Sequence, residues 1–297
     1  MTGILLLDKP LGLSSNSALQ RVKRLLRAEK AGHVGSLDPL ATGMLPICLG
    51  EATKVAGDIV AGRKRYRFAI ALGSRTSTGD VEGPAVETLP VPPFDREALD
   101  AALAQFLGRT MQIPPMYSAI KRDGQPLYKL ARAGVEVERA ARAIDITEFT
   151  VAGFDAQRIE LEVSCSKGTY VRTLAEDIAR ALGTCGHVAL LRRLYVEPFE
   201  AEPMETLESV AQLSERGERP ALLEPDRALG HLPAVSLSVA ATQRVVHGQS
   251  AAVPPETLPG RVRLYDGSGC FFGIGEADGT GEVHPRRLFV AATFEGP

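Results

Sequence analysis

Apolar side chains occupy every second position of residues 65–72. A period of two residues predicts a strand with one buried face. Shorter apolar or alternating runs predict further strands at 4–7, 159–165 and 188–196. Apolar residues at helical spacing predict helices at 14–28, 51–60, 95–107 and 172–182. This pattern indicates an α+β fold in which helices flank a sheet.

Local signals mark the ends of several predicted helices. Ser15 or Asn16 is expected to cap the first helix, and Asp95 is expected to cap the helix at 95–107, because short polar side chains accept from free backbone N–H groups there. Gly108 and Gly183 are predicted stop signals.

A change in composition predicts a domain boundary. Residues 197–226 hold nine Asp or Glu against two Arg, and a proline-bearing stretch follows up to Pro233. Beyond it, short strands are predicted at 262–265, 271–276 and 287–290, separated by turns at Asp266-Gly267, Asp278-Gly279 and Pro285. We expect a large domain over 1–230 and a small β-barrel domain over 234–297.

Charge is unevenly distributed, although the formal net charge of the 297 residues is only −2. Residues 1–75 contain twelve Lys or Arg and five Asp or Glu. Most of these cations form two clusters, Arg21, Lys23, Arg24, Arg27 and Lys30, and then Arg63, Lys64, Arg65 and Arg67. Such clusters are usually solvated faces, but two of them around one loop would attract a polyanion to it.

The composition argues against several classes of protein. With 44% hydrophobic and 24% charged residues, the chain is typical of a soluble globular protein, and no run approaches the ~18 apolar residues of a membrane span. The four cysteines and five histidines show no C-x-x-C or H-E-x-x-H spacing. We therefore expect a cytoplasmic monomer with buried, reduced thiols, and no bound metal.

The loop between the two cationic clusters contains one acidic residue, Asp38, in the sequence GHVGSLDPLATGMLP. The following proline biases Asp38 away from helical backbone, and Gly35 and Gly43 permit left-handed or closely approached backbone. The turn is therefore suited to presenting a carboxylate. That carboxylate could be a nucleophile or a general base, although aspartates in turns more often make local hydrogen bonds.

Six segments, taken together and in order, resemble the TruB family of bacterial tRNA pseudouridine-55 synthases. They are LLLDKPLGLSS, GHVGSLDPLATGMLPICLGEATK, KRYRFAIALGSRTSTGD, IPPMYSAIKRDGQPLYKLAR, CSKGTYVRTLAEDIARALG and HVALLRRL. The end of the chain resembles a PUA-type module more loosely. The resemblance implies a pseudouridine-synthase fold with a mixed, mainly antiparallel sheet flanked by helices, and a C-terminal PUA-like β-barrel that binds RNA.

The resemblance also implies roles for individual residues. Asp38 would attack the target nucleoside, at C6 of the base or C1′ of the ribose. Tyr66 would stack on the flipped uracil and help to remove the C5 proton, and Arg172 would hold Asp38 ionised. The remaining implied substrate-binding residues are His33, Tyr170 and Leu191. This reaction needs no metal or organic cofactor.

Several of these residues also have a plain structural interpretation. Tyr66 could simply pack in the core, and Lys9, which matches the family without a clear role, reads as a surface lysine at the end of a strand. Residues 76–94 follow the family pattern only as far as Asp80, to which we assign no role. Residues 115–142 match an RNA-gripping insertion, yet alone they also suit a surface loop whose tyrosines pack inward.

The implied function is isomerisation of a uridine in the T-loop of tRNA. One alternative is a non-catalytic tRNA-binding or RNA-folding protein in which Asp38 is structural. Another is a glycoside or nucleoside hydrolase that uses Asp38 with a second carboxylate such as Asp177, since such hydrolases normally need two.

Overall fold

The structure is a computed structural model that describes residues 1–122, 124–254 and 256–289. The strands of the N-terminal part are β1 (Gly3–Lys9), β2 (Ala31–His33), β3 (Ala41–Leu49), β4 (Lys64–Leu72), β5 (Ser74–Thr76), β6 (Ala85–Thr88), β7 (Gly108–Gln112), β8 (Lys121–Arg122), β9 (Gln125–Pro126), β10 (Arg142–Phe154), β11 (Arg158–Cys165) and β12 (Gly186–Val196). The helices there are α1 (Ser15–Leu25), α2 (Ala56–Ala61), α3 (Arg96–Ala104), α4 (Leu127–Arg132), α5 (Val171–Ala181) and α6 (Leu207–Glu215).

One large sheet organises this part of the chain, in the strand order β1-β3-β12-β4-β11-β10-β7, with β2 also paired to β3. All its pairings are antiparallel except that of β12 with β3, in which Leu191 lies opposite Ala41. The predicted mixed, mainly antiparallel sheet flanked by helices is confirmed. The loop that carries Asp38 joins β2 to β3 and leads into Ala41, which pairs with Leu191 of β12.

The helix α1 begins one residue earlier than the predicted caps allow. The Ser14 hydroxyl accepts from the backbone N–H of Ser17 at 3.1 Å, so Ser14 is the cap, and the prediction of Ser15 or Asn16 is wrong. Ser15 is instead buried, and its hydroxyl bonds both backbone groups of Leu37. The Asp95 cap of α3 is confirmed by its bond from the N–H of Ala98.

The other predicted elements hold with adjusted bounds. The helix expected at 51–60 is a 3-10 helix, Gly50–Val55, followed by α2. The strand at 65–72 corresponds to β4, whose Phe68 and Ile70 are completely buried in the core. The helix α5 packs on β12 and β4, and α1 packs on α6.

A second sheet follows the acidic segment. It contains β13 (Ala234–Ser236), β14 (Ala251–Ala252), β15 (Gly260–Tyr265), β16 (Phe271–Ala277) and β17 (Glu282–Leu288), and the helix α7 (Val239–Val246) precedes β14. Its order is β13-β15-β16-β17-β14, and it curls into a half-barrel. Hydrogen bonds of Lys54 with Leu288 and Arg287 fasten it to the 3-10 helix of the N-terminal part.

Two predictions for this region need correction. Pro285 is not a turn residue but lies inside β17, where a bulge between its pairings with β16 lets the sheet accommodate a residue without an N–H. The strand expected at 287–290 corresponds to β17, whereas Val290 and the rest of the predicted domain, through 297, lie outside the described residues.

The thiols follow the expectation only in part. Cys48, Cys165 and Cys185 are buried and free, as expected for reduced thiols, but Cys270 is exposed. In the described ranges, no helix is long and apolar enough to cross a membrane.

Substitution of Gly43 tests the close approach of β3 and β12. Gly43 has a φ of +98°, and an added Cβ would lie 2.1 Å from the carbonyl oxygen of Arg193. We expect Gly43→Ala to lower the free energy of unfolding in urea by about 3 kcal/mol or more, because left-handed strain and overpacking add together. Gly12→Ala is the control: Gly12 has a φ of +81° but open space around it, so we expect about 1 kcal/mol. Equal losses for the two variants would contradict this account.

Candidate active site

The turn that carries Asp38 is fixed from beneath by buried polar groups. Lys9 is completely buried, and its ammonium donates to the carbonyl oxygens of Leu13 at 2.6 Å and Pro10 at 2.9 Å, with Pro39 at 3.5 Å. Burial lowers the pKa of Lys9 to about 8, while the negative charge of Asp38 acts in the opposite direction. The interpretation of Lys9 as a surface lysine is therefore wrong, because it supports the turn from inside.

The side chain of Arg172 reaches Asp38 from the first turn of α5. Its Nε lies 2.9 Å from Oδ2 of Asp38, and its side chain is only 5% exposed. Its Nη1 donates to the carbonyl oxygen of Thr78 at 2.9 Å, and its Nη2 donates to that of Tyr117 at 2.7 Å. Three segments of the chain therefore fix the guanidinium, and the guanidinium fixes the carboxylate.

A second carboxylate, that of Asp80, faces the same guanidinium. Its Oδ2 lies 3.8 Å from Nε of Arg172, and the side chain is almost completely buried. Its Oδ1 accepts from the hydroxyl of Thr78 at 2.5 Å and from the N–H of Glu82 at 3.0 Å. Sequence analysis assigned Asp80 no role. The available signal was that the family pattern in this segment ends on Asp80.

Burial decides the net electrostatic effect on Asp38. Desolvation raises the pKa of the Asp38 carboxyl above its ordinary value, Arg172 opposes that shift, and the negative charge of Asp80 adds to it. Arg172 lowers the pKa of Asp38, as predicted, but this effect is smaller than that of desolvation. The carboxylate still presents 40% of its side-chain surface to the cleft, so it is both oriented and accessible.

Asp38 and Arg172 line a cavity of about 310 Å³. Three further residues named by the family resemblance line it as well: Tyr66, Tyr170 and Leu191. Burial raises the pKa of Tyr66, so its phenol is protonated at neutral pH. Tyr66 also packs against the hydrophobic core. The structural and the functional interpretation of this residue are therefore compatible.

His33 is the sequence-predicted site residue that the structure places outside this cavity. It lies at the end of β2, opposite Ile47, and burial lowers its pKa. Its Nδ1 is buried and has no hydrogen-bond partner within the described residues. The structure therefore leaves His33 near the turn, on another side of it.

Two buried cations line the cavity without having been singled out as site residues. The ammonium of Lys64 donates to the carbonyl oxygens of Val60 at 2.6 Å and Gly62 at 2.5 Å, and burial lowers its pKa to about 8. Arg193 donates to the carbonyl oxygens of Met44 and Gly35. Both side chains line the cavity that also contains the Asp38 carboxylate. The sequence pattern had placed Lys64 in a surface cluster, and that was wrong.

The rest of the second basic cluster is neutralised by neighbouring strands. Arg65 forms ion pairs with Glu148 and Glu162, Arg67 pairs with Glu160, and Arg63 pairs with Asp145. This cluster is therefore not the free cationic face that the sequence suggested. The first cluster differs, since no ion pair joins its members to any carboxylate in the described ranges. Its members are Arg21, Lys23, Arg24, Arg27 and Lys30.

Residues 115–142 contact the cavity at their base. They contain β8, β9 and α4, and the N–H of Tyr128 donates to the carbonyl oxygen of Ser118. The carbonyl oxygen of Tyr117 accepts from Arg172, as described above. Arg132 lies over the ring of Tyr128, 5.7 Å from its centre. Arg132 is exposed and Tyr128 is partly buried, so this pair lies at the surface of the segment.

The carboxylates needed by the other hypotheses lie elsewhere. Asp177 pairs with Arg180 and lines a different cavity, so it does not form a catalytic pair with Asp38. Within the described residues, the one side-chain group that could hold a metal ion is Asp278, Glu282 and His284, and it is exposed on the half-barrel.

Solved structures of other proteins share the fold of this chain. Two solved structures share the fold over 97% of this chain and 85% of theirs, each with a TM-score of 0.73: a Cbf5-Nop10-Gar1 complex at 24% identity, and an H/ACA RNP bound to a substrate RNA containing 2′-deoxyuridine at 22% identity.

The sequence matches are more specific. The model for the TruB family pseudouridylate synthase N-terminal domain matches residues 23–171, and two TruB C-terminal models match residues 172–229 and 233–289. The tRNA pseudouridine synthase B of Chromohalobacter salexigens is 47% identical over 98% of this chain and 95% of its own. That of Stutzerimonas stutzeri is 49% identical over 97% and 95%. The chain belongs to the TruB family of pseudouridylate synthases.

Replacement of Arg172 tests the geometry of the pair with Asp38. We expect Arg172→Lys to lower turnover by about 100-fold, because one ammonium cannot reproduce donation from Nε, Nη1 and Nη2. Arg180→Lys is the matched control on the same helix, since Arg180 is 58% exposed and should tolerate the change. Single-turnover assays with saturating RNA would measure both. Near-normal turnover of Arg172→Lys would refute the requirement for a planar donor.

Proposed function

We propose that this protein isomerises uridine 55 in the T-loop of tRNA to pseudouridine. The observation that carries the proposal is the contact between Asp38 and Arg172 at a cavity lined by three tyrosines, Tyr66, Tyr117 and Tyr170. Membership of the family and the tRNA pseudouridine synthase B relatives support tRNA as the substrate.

Asp38 is the nucleophile in this proposal. Its carboxylate attacks the target nucleoside, the bond between N1 of uracil and C1′ of ribose breaks, and the base rotates and rejoins the sugar through C5. The bond to Asp38 then breaks, which regenerates the carboxylate, and N1 gains a proton as C5 loses one. Arg172 keeps one carboxylate oxygen engaged, which leaves the other directed at the substrate. The raised pKa of Asp38 makes it a better nucleophile than a freely solvated aspartate, provided that it is deprotonated.

The target base must leave its stack to reach the cavity. Unstacking costs a few kcal/mol, and an aromatic surface offsets part of that cost. Tyr66 supplies such a surface inside the cavity, and Tyr170 and Leu191 form its other walls. The Tyr66 hydroxyl assists removal of the C5 proton by passing its own proton to solvent as it takes up the one from C5. His33 would then occupy the space that the base vacates in the RNA, which is consistent with its position outside the cavity.

The remaining contacts hold the RNA. The cations of the first cluster, which form no ion pair within the described residues, attract phosphate groups, and the insertion over 115–142 grips the T-arm beside the cavity. We divide the chain into a catalytic domain over 1–230 and a PUA-like RNA-binding domain over 234–297. The enzyme acts as a monomer in the cytoplasm, where its tRNA substrate resides.

The Asp38→Asn variant tests the nucleophile. We expect wild-type protein to form pseudouridine at position 55 of unmodified tRNA and the variant to form none, because a neutral amide cannot make the covalent bond. Chemical mapping of pseudouridine after incubation would measure this. Absence of product with wild-type protein would favour the RNA-binding alternative, and full activity of Asp38→Asn would remove the proposed nucleophile.

The Tyr66→Phe variant separates stacking from proton transfer. The ring remains, so we expect tRNA affinity within about twofold of wild type. The hydroxyl is lost, so we expect turnover to fall by about 100-fold or more. Filter binding and single-turnover kinetics on the same preparation would compare the two quantities. Equal turnover for the variant and the wild type would contradict an acid–base role.

A further inference from the structure

The main chain of Tyr170 is held at both of its polar groups by one buried side chain, that of Gln112. The Oε1 of Gln112 accepts from the N–H of Tyr170 at 2.8 Å, and its Nε2 donates to the carbonyl oxygen of Tyr170 at 3.1 Å. Gln112 ends β7 and is only 5% exposed. Two bonds from one planar amide fix both the position and the orientation of the residue that they hold.

The bonds from Gln112 act at the start of α5, where no side-chain cap is present. Four helices of eight or more residues begin with a side-chain cap: Ser14, Asp95, Thr206 and Ser238. Tyr170 is the cap residue of α5, and its side chain makes no capping bond. The amide of Gln112, which belongs to a different segment of the chain, therefore supplies an anchor for the start of this helix.

The start of α5 must be placed accurately because Arg172 lies two residues beyond Tyr170. The guanidinium makes contacts at 2.7 Å with Tyr117 and 2.9 Å with Asp38, and small shifts of the first turn would lengthen both. Gln112 also directly precedes the segment that leads to Tyr117. Gln112 thus fixes the start of α5, whose Arg172 donates to Tyr117. It also ends β7, the strand that precedes the segment containing Tyr117.

We propose that Gln112 is a positioning residue for pseudouridine formation, acting through Tyr170 and Arg172 on the carboxylate of Asp38. The proposal rests on the proposed function. Gln112 does not line the cavity in which the target base would bind. Its loss should therefore lower the rate of the chemical step more than it lowers RNA affinity.

The first test is Gln112→Leu, which keeps the approximate size of the side chain and removes both hydrogen bonds. We expect the single-turnover rate on unmodified tRNA to fall by about tenfold or more, with tRNA affinity within about twofold. The control is Ser214→Ala, which removes a 2.8 Å bond to the carbonyl oxygen of Leu25 outside the cavity and should leave the rate unchanged.

The second test is Gln112→Glu, which keeps the proposal testable if Gln112→Leu does not fold. A protonated carboxyl can still donate to the Tyr170 carbonyl, whereas an ionised one places two acceptors against each other. The rate relative to wild type should therefore rise as the pH is lowered. A ratio that does not change with pH, at a rate equal to wild type, would overturn the proposal.

A double-mutant cycle with Arg172→Lys identifies the route of the effect. If Gln112 acts through Arg172, the loss caused by Gln112→Leu should shrink to less than about twofold in the Arg172→Lys background. A full additional loss would overturn the proposal. An active wild type with an equally active Gln112→Leu would overturn it while leaving the proposed function intact, whereas a wild type that forms no pseudouridine would overturn both.

Discussion

The rest of the site depends on one buried positive charge, that of Arg172. A guanidinium removed from water is stable only where acceptors surround it, and leaving any of its charge uncompensated costs several kcal/mol. Here the compensation comes from Asp38, Asp80 and two backbone carbonyl groups in different segments. The need to satisfy one cation therefore brings together a helix, a turn and the base of an insertion.

The same principle governs the wall beneath the turn. Lys9 and Arg193 are completely or almost completely buried, and each spends its donors on backbone carbonyl groups rather than on carboxylates. Lys9 and the nearby Asp38 each favour the charged form of the other, and Arg193 favours the anionic form of the nearby Tyr66. The turn is thus held by hydrogen bonds from buried cations to the backbone.

Much of the fold follows from local signals in the sequence. The alternation at 65–72 and the Asp95 cap depend on neighbours along the chain, and both are confirmed. The burial of Lys9 and Lys64 and the position of Asp80 depend on partners far away in sequence, so the local pattern misplaced the lysines and gave the aspartate no role. Ser14 replaced the expected cap because Ser15 is recruited by Leu37, another distant contact.

The site residues show the same division. The turn singled out Asp38 only as a well-presented carboxylate. The resemblance gave it a catalytic role and supplied Arg172, Tyr66, Tyr170 and Leu191, which the structure gathers with it around one cavity. Gln112 carries no signal of its own in the sequence, because its importance lies in the two backbone groups that it meets.

The parallel contact of β3 with β12 has a consequence for synthesis of the protein. Arg193 bonds Met44 across 149 residues of chain, and Gly43 accommodates the backbone of Arg193. Contacts between such distant segments form late, because a long loop must close first. On the ribosome, the Asp38 turn emerges early but acquires its final wall only after β12 has been made. A nascent chain that ends before β12 therefore has the Asp38 turn without the cavity.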